Sequence, residues 1–115
     1  MKGKKFRKVV YYKNHLRDFL KEQTISVQRK IIWTLELIED IEKVPESYLK
    51  HLTGTDGLYE IRVSLGTNIF RIFCFFSGDQ LVILMNSYQK KTQKTPKSEI
   101  QKALKIKEEY EQENK

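Results

Sequence analysis

Between Leu58 and Asn86 three strand-like segments follow one another at hairpin spacing, and this run constrains the fold more than any other part of the chain. Residues 58–64 alternate, with Tyr59, Ile61 and Val63 on one face and Glu60 and Arg62 on the other. Gly66 to Asn68 reads as a turn. Residues 69–76 are apolar on both faces, the pattern of a central strand. Gly78-Asp79 turns the chain again, and residues 81–86 form the last strand. Three strands paired this way make an antiparallel sheet whose apolar faces need cover from elsewhere.

The flanking segments supply that cover. Residues 6–12 are β-branched and aromatic and read as a first strand. Asn14 is placed to cap a short helix carrying Leu16, Phe19 and Leu20. Ser26 is expected to cap a longer one. Its stripe is Val27, Ile31, Leu35, Ile38 and Ile41, widened by Ile32, Trp33 and Leu37, with Glu36, Glu39, Asp40 and Lys43 opposite. So few residues join the two helices that an antiparallel hairpin is the simplest arrangement. Pro45 ends the second helix or opens a turn, Tyr48, Leu49 and Leu52 add an apolar patch, and residues 53–57 turn. After Tyr88 the sequence becomes lysine- and threonine-rich. Thr95 then caps a final helix with Pro96 at its first position, and Ile100, Ala103, Leu104 and Tyr110 mark its apolar side. The expected order is β-α-α-β-β-β-α, an α+β fold in a single domain over residues 1–115, with 110–115 as a frayed tail.

Charge narrows the partners. The chain carries a formal net charge of +7, and lysines and arginines concentrate at residues 1–13 and 88–97, where no acid occurs. Seven of the fifteen carboxylates fall between 36 and 60. If the two basic segments meet in space they form a face suited to a polyanion. The single cysteine, Cys74, rules out a disulfide within the chain and suits a reducing compartment. No run of 18 apolar residues exists to span a bilayer, and no apolar core follows the basic N-terminus to make a signal peptide. A cytoplasmic protein without membrane contact is expected.

Glycine-rich phosphate loops, metal-spaced Cys/His sets and nucleophile elbows are missing from the sequence. His15 and His51 read as surface or packing residues, and Cys74 as a small core hydrophobe. Arg71 is the informative residue, because it interrupts the central strand and cannot lose its proton. Either it pairs with a carboxylate, for which Glu60 is the candidate, or its face lines a groove open to anions. Arg62 on the adjacent strand would converge with it. Lys90, Lys91, Lys94 and Lys97 would add charge, and Tyr88 a plane for a base to stack on.

The segments Leu52-Thr53-Gly54-Thr55-Asp56-Gly57-Leu58-Tyr59-Glu60-Ile61-Arg62-Val63, Phe70-Arg71-Ile72-Phe73 and Lys90-Lys91-Thr92-Gln93-Lys94-Thr95-Pro96, in that order, resemble the HigB-type branch of the RelE/ParE toxin superfamily, including its phage-derived relatives. The resemblance covers roughly residues 8–110. It implies a RelE-like fold, a curved antiparallel sheet with an N-terminal helical hairpin and a C-terminal helix. It further implies a type II toxin that cleaves mRNA on the ribosome, held silent by a helix-turn-helix, HigA-like antitoxin. Carried onto this chain, the catalytic positions fall on Arg71, Arg62 and Lys90 or Lys91. Tyr88, Lys94 and Lys97 would bind RNA. The expected chemistry is attack of a ribose 2′-OH on the adjacent phosphodiester, without metal or cofactor. Both arginines would stabilise the phosphorane. Lys90, Lys91 or Lys94 would act as base, with Glu60 as a weaker candidate or as the group orienting Arg62. Some relatives carry a catalytic tyrosine or histidine near the C-terminus, where this chain reads Pro96-Lys97-Ser98. The rival readings are a ParE-like toxin acting on DNA gyrase without cutting RNA, and a non-catalytic nucleic-acid-binding module.

Overall fold

Two glycine-led loops organise the centre of the molecule. Gly66 and Gly78 both take φ +63, and each opens a two-residue connection between antiparallel strands. The computed structural model describes residues 5–89 and 96–114, with only the backbone of 85–89. Its elements are β1 (Lys8–Tyr11), α1 (His15–Lys21), α2 (Ile25–Asp40), β2 (Leu49–His51), β3 (Leu58–Leu65), β4 (Asn68–Ser77), β5 (Gln80–Gln89) and α3 (Lys97–Glu113). The strands form one open five-stranded sheet in the order β1-β5-β4-β3-β2. As the doubly apolar run requires, β4 lies at the centre. The result is an α+β architecture consistent with a RelE-like fold.

Two features go beyond the sequence reading. The sheet is mixed, because β1 joins it parallel to β5, with Lys8 opposite Gln80 and Tyr11 opposite Ile83. The chain between β1 and β5, two helices and three strands, is long enough to bring β5 back in the direction of β1. The second feature is β2, a three-residue edge strand antiparallel to β3, formed where only an apolar patch and turn were expected. Its pairing continues the sheet past Ile61, Glu60 and Tyr59.

The two faces of the sheet bury different partners. The α1–α2 hairpin covers one face, packing Leu16, Val27, Ile31, Leu35 and Ile38 against Ile61, Ile72, Cys74 and Ile83. Full burial of residues such as Ile31 and Ile38 stabilises the fold by about 1.5–3 kcal/mol each. On the other face Ala103 of α3, with Ile100, Leu104 and Tyr110, packs against Leu58, Phe73, Phe75, Val82 and Leu84.

Several local expectations shift. The cap of α2 is Thr24, whose side chain accepts from the Val27 N–H, and not Ser26. Thr24 adopts extended backbone and so can reach the third residue after it, whereas Ser26 is already inside the helix. Asn14 stands at the cap of α1 without a side-chain hydrogen bond, and Pro96 itself holds the capping position of α3. Ile41 closes α2 in extended conformation and leaves its stripe. Ile32 and Trp33 are exposed, whereas Thr34 is buried with its hydroxyl donating to the Lys30 carbonyl. Glu39, expected on the solvent side, is buried against β1, where its carboxylate accepts from the Val9 N–H at 2.8 Å and pairs with Lys5. Arg7 completes this seam by donating to the carbonyls of Ile38, Ile41 and Glu42 at the end of α2.

The far half of α3 is tied back to the end of β1. Tyr12 Oη donates to Glu109 Oε1 at 2.9 Å, Lys13 pairs with the same oxygen, and the Tyr12 and Tyr110 rings meet edge to face. The Lys13 hydrogen bond, then that of Tyr12, holds the Glu109 carboxyl below its ordinary value near 4.5.

Two predictions follow from the helix ends. Thr24→Ala should lower the unfolding free energy by about 1 kcal/mol in urea denaturation, while Ser26→Ala should leave it within about 0.5 kcal/mol. Because the folded carboxyl lies below its unfolded value, the Glu109 contribution is complete above that value and is lost as pH falls through the depressed one. A small deficit in melting temperature for Glu109→Gln at neutral pH should therefore vanish in acid.

Candidate functional site

The site begins with a register position. Arg62 on β3 and Arg71 on β4 are direct cross-strand partners, so both project from the face shared with α3. Like charges so placed repel each other. Glu60, two residues earlier on β3, lies on the same face and diagonally opposite Arg71. Arg71 Nη1 donates to Glu60 Oε1 at 2.8 Å, and Arg62 Nε lies 3.4 Å from that same oxygen. The carboxylate thus bridges the two guanidiniums.

Burial separates their roles. Arg71 and Glu60 are each 1% exposed, whereas the Arg62 side chain keeps 32% of its surface open. Of the two alternatives for Arg71 the structure shows the ion pair with Glu60, and the residue lies buried at the base of a groove. A permanently charged group can be buried in the central strand because that carboxylate is beside it.

The groove has a volume of about 810 Å³ and runs between β2 and the first turns of α3. Glu60, Arg62 and Arg71 line it together with Lys50, whose register partner across the β2–β3 ladder is Glu60. One bank is the turn Leu52–Thr55. This turn is held by the Thr55 hydroxyl, which donates to the Leu52 carbonyl at 2.7 Å and accepts from the Leu58 N–H. The other bank is Lys97, Ile100, Gln101 and Leu104 of α3. The groove therefore has a cationic part, Lys50, Arg62 and Lys97, beside an apolar part, Leu52, Ile100 and Leu104. A smaller hollow of about 300 Å³, lined by Ser47, Ser64 and Ile69, reaches the same two arginines.

Of the residues singled out from sequence, Arg62, Arg71, Glu60 and Lys97 come together here. Lys90, Lys91 and Lys94 lie outside the described residues. Tyr88 belongs to β5 opposite Phe70, while Ser87 occupies the register position opposite Arg71; the Tyr88 side chain is outside the described set. Lys50 was not among the candidates, since its place on this face depends on β2. The chain does reach the groove at His51, but that residue is the register partner of Tyr59 and its ring stacks edge to face on the Tyr59 ring at 5.2 Å. Cys74 is fully buried. Burial, with the nearby Glu60 charge, pushes its thiol well above the ordinary value, as befits a core residue. Among the described residues no group of three or more His, Cys, Asp or Glu side chains is placed to hold a metal ion. No helix among them is long and apolar enough to cross a membrane.

The α+β sheet, with its helical hairpin on one face and the groove on the other, is consistent with a RelE-like fold. The chain belongs to the phage-derived Gp49-like family (DUF891), a RelE/HigB-like toxin family in the toxin–antitoxin sense, and the family model matches residues 18–108. Neither the curated proteins nor the solved structures give a match.

The shared carboxylate makes a stability prediction. Glu60→Ala leaves a buried guanidinium without its bridging oxygen and should cost about 3–5 kcal/mol in urea unfolding. Removing both charges in Glu60→Leu/Arg71→Met should recover most of that loss, because an apolar pair of similar volume carries no desolvation penalty.

Proposed function

We propose that this protein is the toxin of a type II toxin–antitoxin pair, an endoribonuclease that cuts mRNA on the ribosome, and that a neighbouring antitoxin silences it. The observation that carries this reading is the convergence of Arg62 and Arg71 on one face, bridged by Glu60 at the groove. Family membership supports the toxin assignment, and the groove supports a phosphodiester as what is bound.

In this reading the ribose 2′-OH attacks the adjacent phosphorus, the 5′-oxygen leaves, and a 2′,3′-cyclic phosphate and a 5′-OH result. Charge builds on the non-bridging oxygens as the phosphorane forms. Arg62 is the guanidinium with open surface, so it faces those oxygens and stabilises them. Arg71 is buried and works through Glu60, whose oxygen also lies 3.4 Å from the Arg62 Nε and attracts that guanidinium electrostatically. Glu60 is committed to these contacts and serves as the orienting group rather than as a base. Proton transfer from the 2′-OH falls to a lysine of the segment after β5, with Lys90, Lys91 and Lys94 as the candidates, and Lys97 holds the backbone nearby.

Arg62→Ala tests the reading with little risk to the fold, because the side chain is partly exposed. Cleavage of mRNA on translating ribosomes should fall about 10²–10³-fold, and growth arrest on induction should disappear. Wild-type-like cleavage by the folded variant would overturn the arginine assignment. Gyrase-linked DNA breaks without cut mRNA from the unsubstituted protein would replace the ribonuclease by the ParE-like alternative.

A further inference from the structure

We propose that the outer face of α2 is a self-association surface, on which a second copy of this chain docks antiparallel about a twofold axis. The surface is independent of the toxin reading, since α2 covers the opposite face of the sheet from the groove. The solvent side of an amphipathic helix is ordinarily polar. Here it carries Ile25, Ile32 and Trp33, which are 65%, 47% and 46% exposed. They lie at i, i+7 and i+8 and so share one stripe of the helix. Single exposed apolar residues are commonplace, but three on one stripe make a patch of the kind that marks a contact. The tryptophan is already posed. Tyr48 meets its ring edge to face with centroids 6.2 Å apart, and Lys30 Nζ sits 4.5 Å from the ring centre. An exposed aromatic held in this way loses little freedom on docking, which suits it to anchor an interface.

Charge selects the occupant. Arg29 and Glu36 are both exposed and stand seven residues apart, so they fall on nearly one line along the helix, with Ile32 and Trp33 between them. The midpoint of that line lies between Ile32 and Trp33, and each charge is about 5 Å from it along the axis. A twofold axis through the midpoint sets Arg29 of each copy against Glu36 of the other. It also brings the two Trp33 rings and the two Ile32 side chains together at the centre. A parallel pair would instead put like charges side by side. An unrelated helix would have to match the same polarity, whereas a second copy supplies it by symmetry. Glu36 also interacts within its own chain, and its two carboxylate oxygens can serve both contacts. Antiparallel docking opposes the two helix dipoles as well. The patch is narrow, so the dimer dissociates on dilution.

The experiment is analytical ultracentrifugation of the full chain over a concentration series, with fluorescence followed in parallel, because Trp33 is the only tryptophan. The wild-type chain should pass from monomer to dimer as concentration rises, and its emission should shift to the blue as the ring leaves water. Trp33→Ala should raise the dissociation constant about 30-fold. Arg29→Glu and Glu36→Arg should each raise it about tenfold. The double variant Arg29→Glu/Glu36→Arg should return it close to the wild-type value, a rescue that the antiparallel register alone provides. All three positions are exposed, so the variants should keep the wild-type melting temperature. A wild-type chain that stays monomeric at every concentration overturns the proposal. So does a dimer that Trp33→Ala leaves intact, or one in which the charge exchange restores nothing that the single changes lost.

Discussion

The ion pair between Arg71 and Glu60 is the constraint around which the rest of the molecule is arranged. It lies in the two innermost hairpin-linked strands, out of water, where neither charge is cheap to keep. Burying it makes sense only if β3 and β4 pair in one register, because a slip of one residue would send Glu60 to the hairpin-covered core. The pair therefore ties the alignment of the sheet to the orientation of Arg62. The Arg62 Nε lies 3.4 Å from a carboxylate oxygen already engaged by Arg71, a charge contact and not a hydrogen bond. Preorganised charge of this kind loses little freedom when a phosphate arrives.

The sheet divides its labour by face. The helical hairpin supplies most of the core, and its side of β3 and β4 is continuous aliphatic and aromatic surface. The opposite side is only partly covered, since α3 packs on Leu58, Phe73 and Phe75 and leaves the Arg62 side chain partly open beside the buried Glu60 and Arg71. Stability and recognition thus draw on different residues of the same strands. Alternation along a strand lets them coexist one position apart.

How much of this was legible in the sequence depended on whether the signal was local. Alternation in residues 58–64 placed Glu60 and Arg62 on one face, and the doubly apolar run placed β4 in the centre. Both follow from period-two geometry, which any single strand displays. The partner of β1 was not legible, because it pairs with a strand about seventy residues later, a choice set by tertiary packing and not by any local pattern. Nor was β2: Leu49-Lys50-His51 is too short to show a period, and its conformation comes from β3. Missing β2 meant missing Lys50. Glu39 was misplaced for a related reason, since a carboxylate on the flank of a helix reads as solvent-facing until a strand with an unpaired N–H is laid beside it. The basic segment 88–97 was legible as charge alone, and of it only Lys97 has a side chain within the described groove.

That Glu39 contact bears on how this chain behaves in a crowded solution. In a parallel ladder alternate N–H groups of the outer strand point away from the sheet, and Val9 is one of them. An outermost strand with such groups bare is a template on which a second polypeptide, or another copy of the same one, can assemble. Here the helix carboxylate occupies the Val9 donor, and Lys5 accompanies it. At the opposite margin β2 offers only three residues. In a protein whose central strand reads Ile-Phe-Arg-Ile-Phe-Cys-Phe-Phe, one margin thus has a donor capped by a helix carboxylate and the other is short, two features that disfavour strand-to-strand assembly.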